Sequence, residues 1–206
     1  MKSIVQPALG VIILGAGASV RMGRPKLLLP WRDTTVIGQI ISTWRELGAT
    51  QLVVVMRPDD LMLSAELDRL DLPAGHRIPN PQPERGMFSS ILCAANWTGW
   101  HNGLSGWAIV LGDQPHLRKQ GLQQLLAVHS QNPDKVCQPV VGLRAGHPVI
   151  LSGQAFDELK RTRAGTLKDF LKLMAVSCVQ LEVADPAVLL DMDTPEDYIR
   201  LQPADA

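Results

Sequence analysis

Between Gly15 and Lys26 the chain reads Gly-Ala-Gly-Ala-Ser-Val-Arg-Met-Gly-Arg-Pro-Lys. Glycines let a backbone come close to an anion and turn successive N–H groups toward its oxygens. Arg21, Arg24 and Lys26 fall within six residues of one another. Arginine brings a planar fork to paired phosphate oxygens, and lysine brings a point charge. Such a loop suits a polyphosphate; its plain alternative is a glycine turn with exposed basic side chains. Two familiar phosphate loops do not fit. A dinucleotide fingerprint G-x-G-x-x-G/A needs Gly or Ala where Val20 stands, and an acid after the second strand where Arg57 stands. A Walker A loop needs Gly-Lys-Ser/Thr five residues after its first glycine, and Gly17 leads instead to Met22.

A second candidate is Gly112-Asp113-Gln114-Pro115, directly after the apolar run Trp107–Leu111. A carboxylate at the tip of a buried strand is held rigidly, and Mg²⁺ takes one or two such carboxylates together with substrate phosphates. Asp113 meets that description, although a turn aspartate bonding nearby backbone would look the same. Asp193, in Asp191-Met192-Asp193-Thr194-Pro195, reads either as a group accepting backbone N–H bonds beside a helix start or as a second metal ligand. Asp191 is a weaker candidate for the same role. Gly86-Met87-Phe88-Ser89-Ser90 opens a helix whose hydroxyls could hold a base or ribose, and His147 sits in a tight turn before a strand as an acceptor-site candidate.

Alternating strand and helix signals must position these residues. Leu9–Leu14, Leu52–Met56 and Trp107–Leu111 are short apolar runs suited to buried parallel strands. Val136–Val141, Pro148–Leu151 and Ser177–Val183 read as further strands, with a turn at Gly142–Gly146, and a short extended piece falls near His76–Ile78. Helices are expected from Thr34 or Thr35 to Gly48, over Asp60–Leu70, Met87–Trp97 and Arg118–Ser130, near Gly153–Lys160 and Thr166–Met174, and after Thr194 with Pro195 at its first position. Asn80–Gly86 reads as loop. The pattern predicts one domain, 1–206, with helices packed on a mostly parallel sheet and ligands gathered beyond the C-terminal strand ends at a switch point.

Composition narrows the partners. Of 206 residues, 46% are hydrophobic and 19% charged, and 20 Lys plus Arg balance 20 Asp plus Glu. No global field draws the chain to nucleic acid or to an anionic membrane, so any polyanion site is local. Cys93, Cys137 and Cys178 are too scattered for a disulfide framework or zinc site and read as inert thiols in a reducing compartment. Ala8–Ala18, preceded by Lys2 and Pro7, superficially resembles a leader, but cleavage there would remove the basic loop. No apolar run approaches the ~20 residues that span a bilayer. The expected setting is cytoplasmic.

Taken together, Ser19–Trp31, Gly86–Ile91, Gly112–Pro115, Gly146–Val149 and Asp191–Tyr198 resemble the MobA-like nucleotidyltransferases, in the family's order and over nearly the whole chain. Within that family the similarity is greatest to the molybdenum cofactor cytidylyltransferase branch. The resemblance implies a three-layer α/β/α Rossmannoid, GT-A-like fold with a mixed sheet, and an NTP bound with Mg²⁺. It implies nucleotide contacts from Leu14, Gly15, Ala16, Gly17, Ser19, Arg21, Lys26, Ser89, Ser90 and Asp113, with Arg21, Lys26 and Asp113 catalytic. Asp113 and Asp193 would hold the metal. Gly15-Ala16-Gly17 departs from both the Ala-Ala-Gly common in the cytidylyl branch and the Ala-Gly-Gly common in the guanylyl branch.

The reaction so implied transfers CMP from CTP to the terminal phosphate of molybdenum-molybdopterin, releasing pyrophosphate, with hand-over to a molybdenum hydroxylase or its chaperone. The acceptor phosphate is already anionic, so no Ser-His-Asp or Cys-His constellation is required. GTP, another phosphorylated acceptor such as a sugar phosphate, and a non-catalytic nucleotide-binding partner of molybdenum enzymes are the alternatives.

Overall fold

The computed structural model describes residues 8–174 and 177–202. Of the expected domain 1–206, residues 1–7, 175–176 and 203–206 lie outside the described residues, Lys2 and Pro7 among them. In chain order the strands are β1 (Leu9–Leu14), β2 (Pro30–Trp31), β3 (Thr34–Thr35), β4 (Gln51–Met56), β5 (Arg77–Pro79), β6 (Gly106–Leu111), β7 (Val136–Val141), β8 (Arg144–Ala145), β9 (Val149–Ser152) and β10 (Cys178–Glu182). The helices are α1 (Val36–Glu46), α2 (Leu61–Arg69), α3 (Met87–Asn96), α4 (Lys119–Gln131), α5 (Gly153–Leu159), α6 (Leu167–Leu173) and α7 (Pro195–Leu201).

Among the described residues the main sheet has eight strands, in the order β10-β7-β9-β6-β1-β4-β5 with β8 paired to β7. β1 runs parallel to β4 and β6, β4 parallel to β5, and β10 parallel to β7. Only β9 and the short β8 run antiparallel to their neighbours. The chain builds outward from β1 through β4 to β5, then returns to place β6 on the other side of β1. That reversal makes the gap between the ends of β1 and β6 the switch point, where an open sheet offers its ligand crevice.

Alternation along the strands gives each face its core. Val11 and Ile13 of β1, Leu52 and Val54 of β4, and Ala108 and Val110 of β6 pack with the apolar faces of α1, α2, α4 and α7. Ile12, Val53, Val55 and Ile109 point the other way, onto α3, α5 and α6. Three layers result, as expected, because each helix must bury an apolar stripe on one sheet face.

Helix starts follow local chemistry. The Thr35 hydroxyl accepts the Gly38 N–H, so Thr35 rather than Thr34 caps α1. Thr194 and Asp197 form a reciprocal capping box at α7, with Pro195 at its first position. Observed boundaries lie close to the expected ones. The β2–β3 ribbon, the β8 arm within the expected turn Gly142–Gly146, and the 3-10 turns Val20–Met22 and Lys26–Leu28 have no counterpart among the expected elements. Elements of two or three residues are too short for periodicity to reveal.

The sharpest packing contact on the second face is Phe156 stacked on Trp107, with ring centroids 4.2 Å apart and planes 1° from parallel. Phe156→Ala should lower unfolding free energy in a urea titration by about 3–5 kcal/mol. Ile199→Ala, at an exposed position of α7, should change it by no more than ~0.5 kcal/mol.

Candidate active site

The parallel register from Leu9↔Gly106 to Leu14↔Leu111 brings β1 and β6 to the sheet edge side by side. Beyond them the backbone stays tied: Gly112 N–H donates to the Leu14 carbonyl at 3.1 Å, and Gly15 N–H to the Val55 carbonyl at 2.7 Å. A Cβ at position 112 would lie 2.5 Å from the Leu14 oxygen, so only glycine lets the two strand ends approach this closely. Asp113 follows immediately, at the strand tip where the sequence placed it.

The loop after β1 is folded back rather than extended. Ser19 adopts a left-handed φ of 52° at the start of the turn Val20–Met22, and Gly23 closes it at φ 67°. Met22, Leu27 and Leu29 are buried and anchor the loop in the core. The Ser19 hydroxyl accepts the Lys26 N–H at 3.3 Å, bracing the loop's two ends.

This folding puts Lys26 between two carboxylates that are remote in sequence. Its Nζ donates to Asp113 Oδ2 at 2.5 Å and to Asp193 Oδ1 at 3.2 Å, while Arg21 Nη2 donates to Asp193 Oδ2 at 2.7 Å. Burial acts most strongly on the Lys26 ammonium and would lower its pKa. The adjacent Asp113 and Asp193 carboxylates outweigh that and hold it above the usual lysine value. Lys26 is therefore a fixed cation at the switch point. Arg21 is largely exposed and joins the network from its rim.

A cleft of about 310 Å³ opens over this network, lined by Leu14, Gly15, Ala16, Gly17, Lys26, Gly86, Met87, Ser90, Asp113 and Asp191, among others. The structure thus gathers most of the expected nucleotide-binding residues at one place. Ser90 faces the cleft but Ser89 does not line it; the Ser89 hydroxyl donates back to the Gly86 carbonyl at 2.7 Å. Arg24, grouped with the phosphate-binding cations on spacing alone, lies instead over the Tyr198 ring, 5.9 Å from its centroid. Asp193 is not a helix cap: Thr194 has that role, and the Asp193 side chain is spent on Arg21 and Lys26.

Asp191 also belongs to the cleft, and Gln114 Nε2 holds its Oδ1 at 3.2 Å. Burial, with Asp113 and Asp193 nearby, pushes its carboxyl pKa up. Asn80 falls in the segment expected as loop, with no role foreseen for it. It is almost wholly buried, and its Nδ2 donates to the Ser89 and Ser90 hydroxyls at 2.8 and 2.9 Å while Oδ1 accepts the Gln82 N–H. A buried asparagine in a Pro-rich loop carries no periodic signal, and only its contacts reveal it.

His147 lies apart from the carboxylate network, in an adjoining groove of about 870 Å³ that meets the cleft at Met87. Burial pushes its imidazole pKa down, against weaker opposing effects of the Ile109 backbone and the Asp113 charge. Its Nδ1 is buried without a partner among the described residues. The cysteines are free, and burial pushes the Cys137 thiol up to about 11, in keeping with inert thiols. Among the described residues no group of three or more His, Cys, Asp and Glu side chains forms a metal centre, and no helix is long and apolar enough to cross a membrane.

A three-layer sheet whose switch point sets a glycine-rich basic loop opposite a strand-tip carboxylate defines a GT-A-like nucleotidyltransferase fold. Residues 11–181 match the MobA-like NTP transferase domain, and the chain belongs to that family as one of its nucleotidyltransferases. It is 26% identical over 205 residues to the nicotine blue oxidoreductase of Paenarthrobacter nicotinovorans, covering 95% of this chain and 97% of that protein. It is 23% identical over 193 residues to the molybdenum cofactor cytidylyltransferase of Escherichia coli (strain K12), covering 93% and 94%. Among solved structures, the manganese complex of Rv0371c from Mycobacterium tuberculosis is 27% identical, with a TM-score of 0.64 over 96% of this chain and 98% of that one.

Asn80→Ala would leave the Gln82 N–H and two serine hydroxyls short of partners at the start of α3. It should cost about 1–3 kcal/mol of stability by chemical denaturation. Ser89→Ala, which keeps the Asn80–Ser90 bond, should cost less.

Proposed function

We propose that the protein transfers CMP from CTP to the terminal phosphate of a molybdopterin-type acceptor, as the Mg²⁺-dependent step of molybdenum cofactor maturation. The observation that carries this reading is the Lys26 ammonium set between Asp113 and Asp193 at the mouth of the β1–β6 switch point. Two hard carboxylate donors sharing one small volume suit a divalent cation that also takes phosphate oxygens. Asp113 and Asp193 would hold that cation; when bound, it neutralises charge on the polyphosphate. The related Rv0371c was solved as a complex with manganese, which supports divalent-metal use in the family.

The chain's own residues supply the rest. N–H groups of Ala16 and Gly17 and the charges of Lys26 and Arg21 would orient the triphosphate, the expected Gly15 N–H being spent on the Val55 carbonyl. An acceptor phosphate oxygen attacks the α-phosphorus, the bond from that phosphorus to the bridging oxygen breaks, and pyrophosphate leaves with the electron pair. No side chain needs to take a proton, since the acceptor is already an anion. Positioning and preorganised charge account for the rate. Ser90 lies on the cleft wall, beside the space the base or ribose would take, and the groove of about 870 Å³ beside His147 would take the acceptor. The reading includes a cytoplasmic setting and hand-over to a molybdenum hydroxylase or its chaperone.

GTP is kept as the second nucleotide, because Gly15-Ala16-Gly17 matches neither branch of the family. The test incubates the protein with each labelled NTP, Mg²⁺ and molybdenum-loaded molybdopterin, and follows dinucleotide and pyrophosphate. CTP should give both products, and Lys26→Ala or Asp113→Ala should cost on the order of 10²–10³ in rate. Product from GTP alone would reject the nucleotide assignment. Undiminished transfer by Asp113→Ala in saturating Mg²⁺ would reject the metal site. Reduction of nicotine blue with no pyrophosphate released would reject the reaction class.

A further inference from the structure

On the α1 side of the sheet a second cleft of about 680 Å³ opens between α1, the start of α4 and α7. In a chain with no net charge, its wall carries Arg32, Arg118, Lys119 and Arg200 against the single carboxylate of Asp185. Lys119 pairs with Glu46, and Arg200 with Asp197 at 2.6 Å. Arg118 reaches Asp185 only at 3.8 Å, and Arg32 makes no ion pair among the described residues. An anion entering the cleft would therefore meet two cations that are scarcely neutralised.

One further feature favours an anion. No side chain caps the start of α4, a helix of 13 residues, so its first N–H groups are not met by a capping oxygen. His116, also on the wall, donates Nε2 to the Ala187 carbonyl at 3.1 Å and so ties the Asp113 segment to the turn Pro186–Leu189.

Two chain segments each contribute residues to this cleft and to the active site. Asp113 and His116 are three residues apart on one segment, and Leu190, on the wall of the second cleft, is followed by Asp191 and Asp193 on the other. Gln114 ties the two segments, donating to the Leu190 carbonyl at 3.0 Å and to Asp191 at 3.2 Å. These bonds give a route by which a shift of either segment would reach a carboxylate of the nucleotide cleft.

We propose that this second cleft binds a small phosphorylated metabolite or free phosphate, held by Arg32, Arg118 and the start of α4, and that its occupancy is felt at Asp113 and Asp191. The site is separate from the one assigned to nucleotide and acceptor, and the inference stands whichever base or acceptor the enzyme uses.

The experiment is an amide NMR titration of the full chain with inorganic phosphate and, separately, glycerol 3-phosphate, at constant ionic strength. The same titration of Arg32→Gln with Arg118→Gln separates the two clefts, because shifts caused by anion bound in the nucleotide cleft persist in that variant. Saturable shifts are expected at Gln120, Gly121 and Leu190, with accompanying shifts at Asp113 and Asp191. Arg32→Gln with Arg118→Gln should require about tenfold more ligand. Both side chains are exposed, so folding should be unaffected. Equal saturation by the two ligands identifies the free anion as sufficient; preference for the ester shows that the organic part is held as well. Shifts reproduced by chloride, or unchanged in the double variant, would overturn the site. Binding without shifts at Asp113 and Asp191 would overturn the coupling.

Discussion

Three residues separated by up to 167 positions meet at one ammonium group, and the geometry of the molecule's ligand side depends on that meeting. Lys26 is half-buried beside Asp113 and within reach of Asp193. None of these charges would tolerate that degree of burial alone, because a desolvated charge without a partner is costly. The β1–β6 register, the close pass of Gly112 over Leu14 and the folded-back loop all serve to bring the three together. What stabilises the free protein is also what a triphosphate and a hard cation would compete for.

The wider fold supplies stiffness for that arrangement. Strand tips hold a carboxylate better than a loop does, and β1, β4 and β6 are buried on both faces by separate helix layers. The C-terminal segment is the exception. It reaches the site through the short turn Pro186–Leu189 and is fixed by Gln114, the Met192 N–H bond to the Asp113 carbonyl and the α7 capping box. Asp193 owes its place to those tethers rather than to the sheet.

Much of this is legible in residue patterns. The buried strands announce themselves as apolar runs, Thr35 and Thr194-Pro195 as helix starts, and Asp113 as a strand-tip acid. The resemblance to MobA-like nucleotidyltransferases supplies the order of motifs, and the family match over residues 11–181 agrees with it. What is not legible depends on tertiary distance. Local logic puts Asp193 to accepting backbone N–H bonds beside a helix start before it makes it a ligand, because nothing nearby in sequence shows Arg21 and Lys26 approaching it. Arg24 looks equivalent to Arg21 until the Tyr198 ring is seen beneath it. Asn80 and the ribbon β2–β3 leave no periodic trace at all.

If Asp113 and Asp193 together hold a divalent cation on a bound triphosphate, that cation should be visible directly. Electron paramagnetic resonance of Mn²⁺ titrated into the protein with a non-hydrolysable CTP analogue is the measurement. One nucleotide-dependent Mn²⁺ per chain is expected, lost in Asp113→Ala and weakened in Asp193→Ala. Mn²⁺ binding that is indifferent to both substitutions would contradict the metal assignment on which the proposed reaction rests.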